Sequence, residues 1–297
     1  MSVAFLVLPD FLIIAIGWVL RNKAGFSRDF FVGLEKLVYY LLFPALLFMS
    51  ILRTPISAAD AIDMLIATSA VCLVGIACAW LAAPVFKPPS LTMASCAQCG
   101  FRFNTYIGLA LAPSLAGTAG QSSMALIIGF AVPIVNLAAV FALARHHGSN
   151  VIGALIRNPL LMSTLLGLMG NLAGLQMPTS IDILLTRLGA ASVPIGILCV
   201  GASLSWQPAQ GSLPVLSWLI AVKLLLMPAA AWLISTLMAL DSVKTQMLVL
   251  FASLPTASAA YVLAVRMGGD GRMVGITITM STLLSAFTIP LWLILMT

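Results

Sequence analysis

Gln98, Arg102, Asn104, Thr105 and Tyr106 stand close together inside an otherwise apolar run, Ser90 to Gly117, SLTMASCAQCGFRFNTYIGLALAPSLAG. A guanidinium beside amides and hydroxyls suits the binding of an anion. The fork of donors on arginine matches a carboxylate bidentately. The run is long and apolar enough to cross a bilayer, where a guanidinium at mid-depth is disfavoured by roughly 2.5–3.5 kcal/mol on the lenient insertion scale. Such a group persists only where a partner or water reaches it, and irregular backbone at that depth is tolerated only beside a cavity. Gly100 and Gly108 bracket the cluster. The stretch therefore reads as a broken transmembrane helix on a wet path, with Arg102, Asn104, Thr105 and Tyr106 as candidate substrate-binding residues.

A second run repeats the pattern. In Leu254 to Tyr261, LPTASAAY, Pro255 removes a backbone donor and collides with the preceding turn, which predicts another break. Pro255, Thr256 and Ser258 are the candidates there. Two discontinuous helices at equivalent places point to a binding site between them, and their half-helix amino ends would offer free N–H groups and a positive dipole end to an anion. Lys223 sits inside a further apolar run just before Pro228. A buried ammonium needs a counter-group or loses its charge. Asp10, near the start of the first apolar run, is the candidate partner and proton carrier, so Asp10 and Lys223 are the coupling candidates.

The elements that must hold these groups follow from composition. Of 297 residues, 62% are hydrophobic and only 7% charged, against about 25% charged in a soluble domain, so lipid must be the solvent for most of the surface. Apolar runs lie at about 3–20, 32–52, 62–84, 92–116, 121–144, 156–175, 183–204, 212–238, 243–266 and 273–296, each near the span of a bilayer. This predicts an all-α, ten-span membrane protein. With the amino terminus outside, inner loops collect Arg21, Lys23, Arg28, Lys36, Lys87, Arg145, Arg157, Arg266 and Arg272, and outer loops only Arg53, Arg187 and Lys244. By the positive-inside rule both termini lie outside the cell membrane. Pro9, Gly17 and Pro44 recur 150 residues later as Pro159, Gly167 and Pro194, and Tyr106 to Leu111 resembles Tyr261 to Val265. The chain thus divides into two five-span repeats, 1–146 and 147–297, and an odd number of spans per repeat forces opposite orientations.

Several classes are disfavoured. The net charge of +6 comes from cations scattered at span ends, a membrane-orientation signal and not a nucleic-acid one. Five cysteines cannot all pair, and Cys96-x-x-Cys99 has neither a redox context nor a second ligand pair. His146 and His147 have no companion ligands. No cofactor or metal is therefore expected. His-Glu-x-x-His, Gly-x-Ser-x-Gly and intramembrane acid pairs are missing, which disfavours an enzyme. Paired acids at the breaks, as a cation/proton antiporter would need, are also missing.

Leu41 to Leu47 (LLFPALL), Phe103 to Leu111 (FNTYIGLAL), Asn158 to Leu175, Gly189 to Leu204 and Leu254 to Gly269 carry a resemblance over essentially the whole chain. In these motifs it resembles the bacterial branch of the auxin efflux carrier family. The resemblance implies a ten-helix inverted repeat whose fourth and ninth helices cross, similar to the bile acid/sodium symporter fold. It implies a scaffold and a transport module, commonly as a homodimer, and secondary transport of organic anions such as malate, malonate or auxin-like acids. Sodium or proton coupling, or a cation or neutral substrate on the same fold, are the alternatives. Ala110 and Ala259 depart from the family pattern, which often has proline at the first place and asparagine at the second.

Overall fold

The computed structural model describes residues 3–53, 58–144, 159–204, 213–257 and 259–296, and within these the side chains of residues 3–11, 58–60, 140, 144, 160, 161, 164, 262, 265 and 266 fall outside the description. Among the described residues every regular element is helical. In chain order these are α1 (Val3–Asn22), α2 (Arg28–Leu37), α3 (Phe43–Leu52), α4 (Ala58–Trp80), α5 (Ala82–Phe86), α6 (Ser90–Cys96), α7 (Thr105–Ala144), α8 (Pro159–Leu172), α9 (Thr179–Ser203), α10 (Leu213–Ala221), α11 (Met227–Leu237), α12 (Ser242–Ser253), α13 (Ala259–Arg266) and α14 (Gly271–Leu295).

Several boundaries have a local cause. Ser27 caps α2 through Phe30 N–H, Asp241 caps α12 through Lys244 N–H, and Asp270 caps α14 through Met273 N–H, each an oxygen supplied to an otherwise orphan amide. Proline explains two widened turns. Pro44 and Pro228 cannot donate to the preceding turn, and just before each the helix opens into a π turn, Val38–Leu42 and Val222–Leu226. There the bonds run Phe43 N–H to the Val38 carbonyl and Met227 N–H to the Val222 carbonyl. These turns join α2 to α3 and α10 to α11 into single rods. Within α7, Ala116 and Gly117 leave helical geometry, Gly117 at a φ of 57°, which glycine adopts without steric cost. Two helices therefore meet at that point.

Among the described residues six helices are long and apolar enough to cross a membrane: Arg28–Leu52, Ala61–Phe86, Ser90–Leu143, Thr179–Ser203, Leu213–Leu237 and Gly271–Leu295. The other runs expected from the sequence fall short of that criterion for identifiable reasons. The fourth and fifth merge across the bend at Gly117. The ninth is split into α12 and α13, the described part of the sixth is the 14-residue α8, and the first counts only from Leu12. Large apolar side chains face outward all along the rods, among them Tyr40, Met169, Leu237 and Phe287. Exposure on that scale suits a lipid surface, since soluble monomers keep such patches small.

Backbones approach closely where glycines allow it. A Cβ on Gly17 of α1 would collide with the Leu198 carbonyl of α9, and one on Gly201 of α9 with the Ile14 carbonyl of α1. Gly167 of α8 lies against Phe48 of α3, where an added Cβ would be 3.0 Å from the carbonyl oxygen. Small residues at such crossings let membrane helices pack by dispersion contact. α4, α7, α12 and α14 contribute most of the remaining core, with Met64, Val71, Ile127, Phe251 and Val274 fully or almost fully buried.

Candidate functional site

Both expected breaks are present, and they touch. After α6 the chain tightens into a 3₁₀ turn, Ala97–Gly100, and runs without helix through Arg102, Phe103 and Asn104 before α7 begins. α12 ends at Ser253, and Leu254 turns extended at φ −61° and ψ 143°, the conformation a following proline imposes. Gly100 packs against Ala79 of α4, where an added Cβ would come 2.8 Å from the Ala79 Cβ. No proline acts in this first break.

Three hydrogen bonds bind one break to the other. Asn104 N–H donates to the Pro255 carbonyl at 2.8 Å, the Thr256 hydroxyl to the Cys99 carbonyl at 2.7 Å, and the Gln98 amide to the Ala260 carbonyl at 3.2 Å. Phe103 and Phe251 meet edge-on with ring centres 4.5 Å apart. Each break thus satisfies backbone groups that the other leaves open, which is how non-helical backbone survives away from water.

Arg102 is partly exposed at this crossing. Its guanidinium donates to the Gln98 side-chain oxygen at 3.0 Å and to the Asn136 side-chain oxygen at 2.8 Å. Among the described residues no carboxylate pairs with it. Neutral amides orient the fork but leave its charge uncompensated. Asn104 is 1% exposed; its side-chain oxygen accepts from Tyr106 N–H at 3.1 Å and Ile107 N–H at 3.3 Å. The amino end of α7 is therefore capped by its own chain, and the expectation that bare N–H groups there meet an anion does not describe it. What is open is the Asn104 amide nitrogen, a buried donor without a partner among the described residues. Such a group carries a desolvation cost of about 1–3 kcal/mol, which a ligand acceptor would remove.

The remaining candidates divide. Thr105 is half-buried beside Asn104. Tyr106 stacks on Phe43 at 4.7 Å and lies on Gly196, where any Cβ would clash with the ring, so its contacts are packing ones. Pro255 lends its carbonyl, and Thr256, fully buried, uses its hydroxyl on Cys99 while its N–H meets the Ser281 hydroxyl at 3.3 Å. Both act here as tethers between the breaks. Ser258 lies outside the described residues. Lys223, fully buried on the π turn before α11, donates to the Ala252 carbonyl at 2.8 Å, with Met227 sulfur at 3.6 Å and the Phe251 ring centre at 5.9 Å. Its amine thus donates at the carboxyl end of α12, where the helix dipole is negative, and no described carboxylate pairs with it. The Asp10 side chain lies outside the described residues.

Asn136 is the residue that inspection of the breaks missed. It sits 34 positions beyond Arg102, in the apolar run FAVPIVNLAAV, and the signal available was an amide in the middle of a span. Among the described residues no group of three or more His, Cys, Asp or Glu side chains is placed to hold a metal ion.

A family model described as "Membrane transport protein" matches residues 2–152 and 143–293, nearly the entire chain. A protein named "Putative malonate transporter" from Rhizobium meliloti (strain 1021) is 25% identical over 296 residues, covering 96% of this chain and 92% of the relative. An "Uncharacterized transporter" of Methanothermobacter thermautotrophicus is 27% identical over 301 residues, covering 96% of each. The "Uncharacterized transporter YfdV" of Escherichia coli (strain K12) is 26% identical over 304 residues, covering 97% of this chain and 95% of that one. The match extends from end to end and includes both breaks and the rods around them, and on it the chain belongs to the membrane transport protein family, the auxin efflux carrier-like group of multi-pass membrane proteins.

Proposed function

We propose that this protein is a secondary carrier of a small organic anion, a carboxylate of the malonate or malate class, which binds where the two breaks cross. The observation that carries the reading is Arg102: a cation at the crossing, held by Gln98 and Asn136 and facing no carboxylate among the described residues. The unpartnered Asn104 amide beside it supplies a second donor, and Thr105 lines the same edge. The name of the Rhizobium relative supports the choice of malonate as first probe.

Alternating access needs two bodies that move against each other, and an inverted repeat supplies them. Packing supports such a repeat. Gly17 lies on Leu198, and 150 residues on from Gly17, Gly167 lies on Phe48, itself 150 residues before Leu198. The first and second halves thus exchange equivalent contacts, as a pseudo-two-fold requires. In this reading 1–146 and 147–297 are the repeats. α1 to α3 with α8 and α9 form a scaffold, and α4 to α7 with α10 to α14 carry the crossing. Both termini face outward across the inner membrane, on the loop charges given above. The homodimer rests on the family resemblance and is tested by light scattering of the purified protein.

The decisive experiment is malonate uptake into vesicles containing the purified protein. Arg102→Ala removes a charge-assisted contact of about 1.5–3 kcal/mol, so affinity falls about ten- to a hundredfold. Arg102→Lys keeps the charge but loses the fork, and recovers little. Unchanged malonate flux in Arg102→Ala would overturn the assignment.

A further inference from the structure

The rod α2–α3 turns one face toward the crossing, and three contacts mark it. Arg28 lies over the Tyr261 ring of α13 at 5.2 Å, the Cys199 thiol of α9 reaches the Phe31 carbonyl at 3.9 Å, and Phe43 stacks on Tyr106. Positions seven and eleven residues apart fall on one side of a helix, so Glu35 and Tyr39 follow Arg28 along the same face. Glu35 stands on this rod between Phe31, whose carbonyl meets Cys199, and Phe43, which stacks on Tyr106. A line of ionisable and aromatic groups therefore runs from Arg28, past Glu35 and Tyr39, to Tyr106, whose N–H is held by Asn104 of the crossing. Glu35 is half-buried in it, and among the described residues it makes no hydrogen bond or ion pair.

We propose that Glu35 is the proton-linked carboxylate of this carrier, taking up a proton when an anion occupies the Arg102–Asn104 site and releasing it when the anion leaves. The inference rests on the carrier reading above. Its physical basis is like-charge exclusion: a half-buried carboxylate without a hydrogen bond or ion pair among the described residues and an arriving carboxylate oppose each other's ionised forms. Protonating Glu35 removes the conflict, and the water-facing side from which the substrate enters supplies the proton. The groups facing Glu35 from its surroundings are Arg28 and Tyr39 on its own rod, Tyr106 of α7 and Cys199 of α9. Of these only Arg28 is cationic at neutral pH, and it lies two turns away over Tyr261. By reciprocity, lowering the pH strengthens anion binding as much as anion binding draws in protons.

The test uses the full chain in sodium-free vesicles with the membrane potential clamped, an internal pH dye and labelled malonate. Wild type is expected to acidify the lumen as malonate enters, and its malonate affinity to weaken about tenfold per pH unit where Glu35 titrates. Glu35→Gln is expected to carry malonate without proton movement and with a flat pH profile, and Glu35→Asp to restore coupling. Proton uptake by solubilised wild type on adding malonate gives a second readout independent of any variant. Malonate flux with no proton movement in wild type, or a Glu35→Gln variant that retains wild-type coupling, would overturn the role of Glu35 and leave the carrier reading standing. Failure of wild type to bind or move any carboxylate would instead overturn the carrier reading.

Discussion

Thr256 and Lys223 show how a polar side chain inside a membrane can be fully used by the fold itself. The Thr256 hydroxyl satisfies the Cys99 carbonyl across the crossing. Thr256→Val keeps shape but leaves that carbonyl buried and unpaired, at a cost of about 1–3 kcal/mol, read as a lower unfolding temperature in detergent. Lys223→Met removes the donor to the Ala252 carbonyl at the end of α12. It should destabilise by a similar amount, about 1–3 kcal/mol, while apparent malonate affinity changes far less than in Arg102→Ala. A loss of affinity equal to that of Arg102→Ala would place Lys223 in the binding site. Asp241, outside the spans, gives a pH-dependent contrast. Partial burial raises its carboxyl, but the backbone and side-chain hydrogen bonds and the charge of Lys244 outweigh this and hold it below the ordinary aspartate range. A depressed carboxyl stabilises the fold fully above its unfolded value and stops doing so as pH falls through the folded one. Asp241→Ala should therefore cost about 1 kcal/mol at neutral pH as a lost cap, and less once the pH is below that range, where only an uncharged oxygen is left to cap, in thermal unfolding followed against pH.

At the scale of elements, the close crossings are graded. Any Cβ at Gly17 meets the Leu198 backbone, whereas one at Gly167 meets the Phe48 carbonyl at 3.0 Å, a tight fit that a few tenths of an ångström would relieve. Overpacking of this kind costs about 1–3 kcal/mol. Gly17→Ala should fall at the top of that range and Gly167→Ala at the bottom, measured by thermal unfolding. Equal costs would mean that the two crossings differ less in closeness than their backbones indicate. The π turns before Pro44 and Pro228 belong to the same scale. Each adds a residue to a turn, and in the second case this turn carries Lys223 to the end of α12.

For the whole molecule, the loop charges predict an orientation in the membrane. Single cysteines placed at Lys87 and Lys244, in a background lacking the five native cysteines, should react differently with a membrane-impermeant maleimide added to intact cells. Position 244 should label and position 87 should not. The reverse pattern would invert the topology and, with it, the side from which protons reach Glu35. The Arg53 ion pair with Asp182, reinforced by a 2.9 Å bond to Thr186, ties the end of α3 to the start of α9. Both partners are substantially exposed, so this pair contributes less than about 1 kcal/mol and serves position more than stability.

The sequence alone determined the helical class, the apolar rods, the positions of both breaks and the prominence of Arg102. These follow from local causes: apolar run length, the missing N–H of Pro255, and the cost of a charge in hydrocarbon. Only the tertiary structure decided what each polar group does at the crossing. Whether Thr256 faces a ligand or the Cys99 carbonyl, whether Lys223 meets a carboxylate or a helix end, and that Asn136 holds Arg102 all depend on contacts between segments far apart in the chain. Such contacts leave no trace in local periodicity, because hydrogen bonds at a crossing are set by how two rods dock and not by the residues on either rod alone.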